Sequence, residues 1–150
     1  MQNRDFPDLE QLGLSPFSPM PFDVVFTLGN PAIKTAQKMA MNRFARYTHV
    51  AIMVGTTQLC EAMVGRTAAI YDFETWSKAR YRRNALEQRA VLRKKSLDIS
   101  QHVDFFRTEC SYYLHEEYSL RALWKSIEHE GTSVCSSLVL KILTRAGIAI

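Results

Sequence analysis

Cysteine is scarce in this chain of 150 residues: Cys60, Cys110 and Cys135 are the full set, with no CxxC among them. Such scattered thiols exclude a disulfide framework and lack the short paired spacings of a zinc site, and an odd count is what a reducing compartment tolerates. No metal and no cofactor are expected. Long apolar runs are missing too. No window approaches the length of a membrane span. The stretch from Met1 to Phe22 is polar, carries Pro7, Pro16, Pro19 and Pro21, and has no apolar run of signal-peptide length. The expectation is a protein made in the cytoplasm with no membrane span and no conventional export signal. Repeats, low-complexity tracts and interdomain linkers are also absent, which leaves one domain. The net charge is +4 and the pI about 9.1. Aromatics do not interleave in a stacking pattern with the basic cluster Arg80, Arg82, Arg83, Arg89, Arg93, Lys94 and Lys95, and no nucleic-acid fold signature accompanies it. It is read as a solvated face rather than a nucleic-acid surface.

What is present is the make-up of a globular domain, 47% hydrophobic and 23% charged. A chain of this size buries roughly 70% of its unfolded surface and needs no staples. Proline spacing makes residues 1–21 an extended arm before a single domain over 22–150. Asp23 to Leu28 is β-branched and aromatic, hence a strand. Asn30-Pro31 is a helix start, with the helix running to about Phe44. Tyr47 to Gly55 and Gln58 to Val64 read as a hairpin, and Thr67 to Tyr71 as a further strand. A helix or irregular basic segment begins around Asp72, and Gln88 to Arg93 is a strand near an edge. A long helix follows Asp98 or Ser100, with Cys110 inside its apolar stripe, and Tyr118 opens another helical turn. The last helix spans about Ser136 to Ala146, with Leu138, Val139, Ile142 and Leu143 on its buried face and Gly147 at its end. The class is α+β, a small antiparallel sheet followed by mostly helical sequence.

Two polar residues stand out against these apolar elements. His49 lies near the start of a strand whose other face is Val50, Ile52 and Val54. It is either a satisfied core histidine or an imidazole placed for proton transfer. Cys135 belongs to the first turn of the last helix, among Thr132, Ser133, Ser136 and Ser137. The positive end of a helix and its free N–H groups favour a thiolate and can receive a developing oxyanion. The alternative is a structural cysteine. His102, His115 and His129 fall on polar helix faces or near helix ends. A histidine base needs an acceptor on its second nitrogen. Glu61 supplies one only in one register of the hairpin. A two-residue loop, Thr56-Thr57, turns it away from His49. A three-residue loop, Gly55 to Thr57, sets it opposite Ala51 on the face of His49. Gly55, able to take a positive φ, favours the longer loop. The other reading of Glu61 is a solvated edge residue.

The ordered set Asp23-Val24-Val25-Phe26-Thr27, Gly29-Asn30, Tyr47-Thr48-His49-Val50-Ala51-Ile52-Met53-Val54-Gly55, Glu61-Ala62 and Val134-Cys135-Ser136-Ser137-Leu138-Val139 resembles the circularly permuted NlpC-type papain-like proteins, the YiiX-like group. The resemblance covers nearly all of Pro21 to Gly147. In that group the histidine strand precedes the cysteine helix, as here. The resemblance implies a papain-like fold with Cys135 as nucleophile, His49 as base and Glu61 as the third, orienting residue. It matches Tyr118 to a tyrosine on the oxyanion side of the cleft, at a longer spacing from the cysteine than in the unpermuted proteins, and Ser136 lies beside the nucleophile on the same side. Two departures are visible. Phe22 stands where a glycine often precedes the opening Asp, and Cys60 where an aliphatic residue is usual.

By this resemblance the chain is expected to be a cysteine peptidase or amidase that cleaves an amide bond through Cys135, His49 and Glu61. Peptidoglycan stem peptides or related small amides are the substrates it suggests. Made without an export signal, such an enzyme fits delivery by a specialised secretion machine as an effector, with a cognate inhibitor protein in the producing cell. Two other functions compete. The lecithin:retinol acyltransferase-like proteins share the permuted arrangement and act on lipids. A non-catalytic binding module on the same fold would leave Cys135 unreactive.

Overall fold

The computed structural model describes residues 9–12, 18–27, 35, 47–81, 90–95, 108, 111, 113–114, 116–118, 132–133 and 135–148. Thr35, Thr108, Ser111 and Tyr113 are helical; the rest of the expected helix after Pro31, the rest of the long helix with Cys110, and His102, His115 and His129 lie outside these residues.

The described fold is α+β. Six antiparallel strands form one sheet: β1 (Leu9–Leu12), β2 (Val24–Thr27), β3 (His49–Met53), β4 (Gln58–Glu61), β5 (Ala69–Asp72) and β6 (Ala90–Lys94), in the order β1-β6-β2-β3-β4-β5. Helix α1 (Phe73–Tyr81) follows β5, and helix α2 (Cys135–Arg145) closes the described chain. Two short strands, β7 (Glu117–Tyr118) and β8 (Thr132–Ser133), pair in parallel.

Strand β3 lies inside the sheet and is buried along its whole length. Alternation divides its side chains between two apolar layers. Val50, Ile52 and Val54 pack with Cys60, Ala62 and the α2 residues Leu138, Val139, Ile142 and Leu143. Ala51 and Met53 pack with Val25, Leu59, Val91 and Trp76 of α1. The sheet is thus covered by α2 on one face and α1 on the other. Each fully buried aliphatic side chain stabilises the fold by about 1.5–3 kcal/mol.

The helix ends follow from local sequence. Asp72 caps α1, its Oδ1 accepting the Thr75 N–H at 2.8 Å. At the end of α2, Gly147 sits at φ 71°. Its N–H donates to Thr144 O, and the Ile148 N–H donates to Leu143 O at 2.9 Å. Ile148 and Leu143 share the same apolar cluster. This is a Schellman stop with its hydrophobic contact, and it needs the left-handed conformation that glycine adopts without cost.

Three expectations change. The segment 1–21 is not an arm apart from the domain, because Leu9–Leu12 joins the sheet alongside β6. Strand β6 is therefore one strand in from the edge, and Arg93, one of its two charged residues, is paired. Arg93 donates from Nε and Nη2 to the two oxygens of Asp23, each at 2.7 Å, and from Nη2 to Ser18 O. Asp23 is fully buried and also accepts the Met20 N–H. Arg93 thus leaves the basic face and becomes half of a cross-strand ion pair. Finally, Tyr118 lies in strand β7 and not in a helical turn.

Candidate functional site

The hairpin β3–β4 sets the first two members. Val54 N–H donates to Gln58 O at 2.8 Å, so the loop is Gly55 to Thr57. Ile52 pairs with Cys60 and Met53 with Leu59. Continued by count, this register brings Ala51 opposite Glu61 and puts Glu61 on the face of His49. The longer loop does not depend on a left-handed glycine, however. Gly55 is not among the glycines at positive φ, and a Cβ added there meets nothing within 4 Å.

His49 Nε2 and Glu61 Oε2 are 2.6 Å apart. Both residues are buried, at 8% and 2% exposure. A carboxylate this deep costs several kcal/mol unless it is paired, and the His49 imidazole pairs with it. With Nε2 committed to Glu61, Nδ1 is left for Cys135, whose thiol is hydrogen-bonded to the same ring.

Cys135 reaches the ring from the other layer. It is the first residue of α2 and packs in the cluster of Val50 and Ile52, whereas His49 lies on the alternate face. The two meet at His49, the first residue of β3. The β3–β4 ladder pairs Ile52 with Cys60 and Met53 with Leu59, and the Val50 N–H is directed at the sulfur, as is that of Ser136. Strand β8 delivers the cysteine. It pairs with β7, which is bridged at Glu117 to Thr67 and held through Glu116, whose carbonyl accepts the Ala68 N–H and whose carboxylate pairs with Lys141 of α2 at 3.0 Å.

The electrostatics run in opposite directions on the imidazole and the thiol. Burial pushes the His49 pKa down, but the hydrogen bonds and charges of Cys135 and Glu61 outweigh it and leave the ring above its ordinary value. Burial likewise pushes the Cys135 thiol up, but the hydrogen bond and charge of His49, with the Val50 and Ser136 N–H groups, hold it below the usual thiol range. Both shifts favour a thiolate–imidazolium pair, with Glu61 holding the cation.

Cys135, His49 and Glu61 are therefore brought together. Ser136 contributes a backbone N–H, while its side chain is exposed. The backbone of Tyr118 pairs with that of Ser133, which lies two residues before Cys135. The Val50 N–H is the participant that residue reading did not anticipate. A backbone donor leaves no trace in side-chain identity, so no sequence signal points to it. Among the described residues no group of three or more His, Cys, Asp or Glu could hold a metal ion, and no helix is long and apolar enough to cross a membrane. No family model, curated protein or solved structure matches the chain.

Proposed function

We propose that this protein is a cysteine hydrolase that cleaves an amide bond, on a fold of the permuted papain-like type. The observation that carries the reading is the buried relay of Cys135 at the N-terminus of α2, His49 at the start of β3 and Glu61 across the hairpin, with His49 Nε2 and Glu61 Oε2 at 2.6 Å. A structural cysteine needs neither a histidine partner nor N–H groups aimed at its sulfur.

The thiolate attacks the carbonyl carbon, and the carbonyl oxygen gains negative charge. The α2 N-terminus supplies donors for that charge, the Cys135 N–H first among them. The imidazolium, protonated at Nδ1, gives its proton to the departing amine nitrogen as the C–N bond breaks, leaving a thioester. Neutral His49 then takes a proton from water, whose oxygen attacks the thioester carbonyl. The C–S bond breaks, the acid is released and the thiolate–imidazolium pair is restored. Throughout, Glu61 accepts from Nε2–H, which fixes the tautomer and offsets the ring's positive charge.

Peptide amides of the bacterial cell wall are the proposed substrate class, since the resemblance carried by HVAIMVG, EA and CSSLV points there. The test is digestion of purified peptidoglycan by the wild type and by Cys135→Ala, with products identified by mass spectrometry. The expected result is new free amines in the wild-type digest alone. An unchanged wild-type digest would remove peptidoglycan as substrate, and acyl transfer from vesicle lipids would then favour the lipid reading.

A further inference from the structure

Thr27 is fully buried, and its Oγ1 has no hydrogen-bond partner. It is the cross-strand partner of His49 in the β2–β3 ladder, so the two side chains share a face and stand side by side, with Cβ atoms typically about 5 Å apart. Strands β2 and β4 flank β3. Thr27 and Glu61 therefore approach the imidazole from opposite sides. A buried hydroxyl without a partner costs stability, and valine has the same shape without that cost. A threonine at this position calls for a compensating use.

We propose that Thr27 is a positioning residue of the site: its hydroxyl, on the flank of the His49 ring away from Glu61, turns its oxygen toward the ring and stabilises the imidazolium. This rests on the Cys135–His49 reading above. A hydroxyl committed elsewhere has a fixed dipole, whereas an uncommitted one orients in the local field. Its hydrogen points away from a positive ring and its lone pairs toward it. Among the described residues, the other groups around His49 are Glu61 from β4 and Cys135 from α2. Strand β2 adds Asp23 farther along the same face, tied to Arg93 of β6, and α1 presents Trp76 there. Thr27 thus brings beside the ring a hydroxyl with no other hydrogen-bond partner.

The test compares the wild type, Thr27→Val and Thr27→Ser. The rate of Cys135 carboxymethylation by iodoacetamide is followed against pH by mass spectrometry of the Cys135 peptide, and thermal unfolding is recorded in parallel. Thr27→Val is expected to fold with undiminished stability, yet to need a pH higher by about 0.5–1 unit for the same thiolate fraction, which is threefold to tenfold less reaction on the acid limb. Thr27→Ser, which keeps the hydroxyl, is expected to track the wild type. A Thr27→Val profile that superimposes on a His49-dependent wild-type profile would overturn the inference and leave the enzyme reading intact. A wild-type Cys135 that reacts like an ordinary thiol, with no change in His49→Ala, would overturn both.

Discussion

Replacing Glu61 probes the relay most directly, because the carboxylate touches the ring and not the thiol. The Nε2–Oε2 separation is 2.6 Å in a site where Glu61 is 2% exposed. A hydrogen bond between charged partners contributes about 1.5–3 kcal/mol and a neutral one about 0.5–1.5. Glu61→Gln keeps the shape and an acceptor for Nε2–H but removes the charge. The imidazolium then loses about 1–1.5 kcal/mol, which is about one pKa unit and up to tenfold in the population of the thiolate–imidazolium pair. Glu61→Ala loses the whole bond, about 1.5–3 kcal/mol, for a loss of roughly 10- to 100-fold. Alkylation of Cys135 at mildly acidic pH reads this population directly. The expected order is wild type, then Gln, then Ala, with the Ala profile moved toward that of an ordinary thiol. Identical profiles for the three proteins would refute the claim that the buried carboxylate sustains the ion pair.

The pH dependence of hydrolysis follows from the opposite shifts of the two groups. Thiolate is lost as pH falls through the lowered Cys135 value, and imidazolium is lost as pH rises through the raised His49 value. Initial rates should trace a bell whose acid limb lies below the usual thiol range and whose alkaline limb lies above the usual imidazole value. Phe22 offers a test of backbone strain. It sits at φ 70° and 5% exposure, held by its N–H to Met53 O at 2.9 Å and by the Met53 N–H to Asp23 O at 2.8 Å. Removing a buried Phe costs about 3–5 kcal/mol, while a left-handed residue with a Cβ carries about 1–2. Phe22→Gly should thus lose about 2–3 kcal/mol, and Phe22→Ala about 1 kcal/mol more than Gly, in urea unfolding. Arg93→Ala leaves the buried Asp23 carboxylate without its bidentate partner and should destabilise by about 3 kcal/mol. Its midpoint in urea should fall while the pH profile of Cys135 alkylation stays in place.

Much of the layout was legible in the chain itself. The β-branched alternation of Val24 to Thr27 and of His49 to Met53, and the stripe Leu138, Val139, Ile142 and Leu143, specify strands and a helix through short-range periodicity. Other features carry no local signal. The four residues of β1 are a strand because β6 pairs with them, and the two of β7 because β8 does. The charge of Arg93 within a sheet makes sense only once Asp23 is opposite it. Phe22 adopts a conformation that its own Cβ disfavours, because backbone bonds on both sides impose it.

The site divides along the same line. By itself the sequence determined that a histidine would begin an apolar strand, that a carboxylate would lie within the next strand, and that a cysteine would open the last helix, since these depend on residue type and period. Only the tertiary structure decided that the hairpin loop runs from Gly55 to Thr57 and brings Glu61 to His49. It also decided that α2 packs against β3 with its first residue, Cys135, beside the His49 ring, and that the Val50 N–H faces the sulfur. Those contacts join positions far apart in the chain. They form when the closure of long loops is offset by packing of the sheet against α2, and no local propensity encodes that balance.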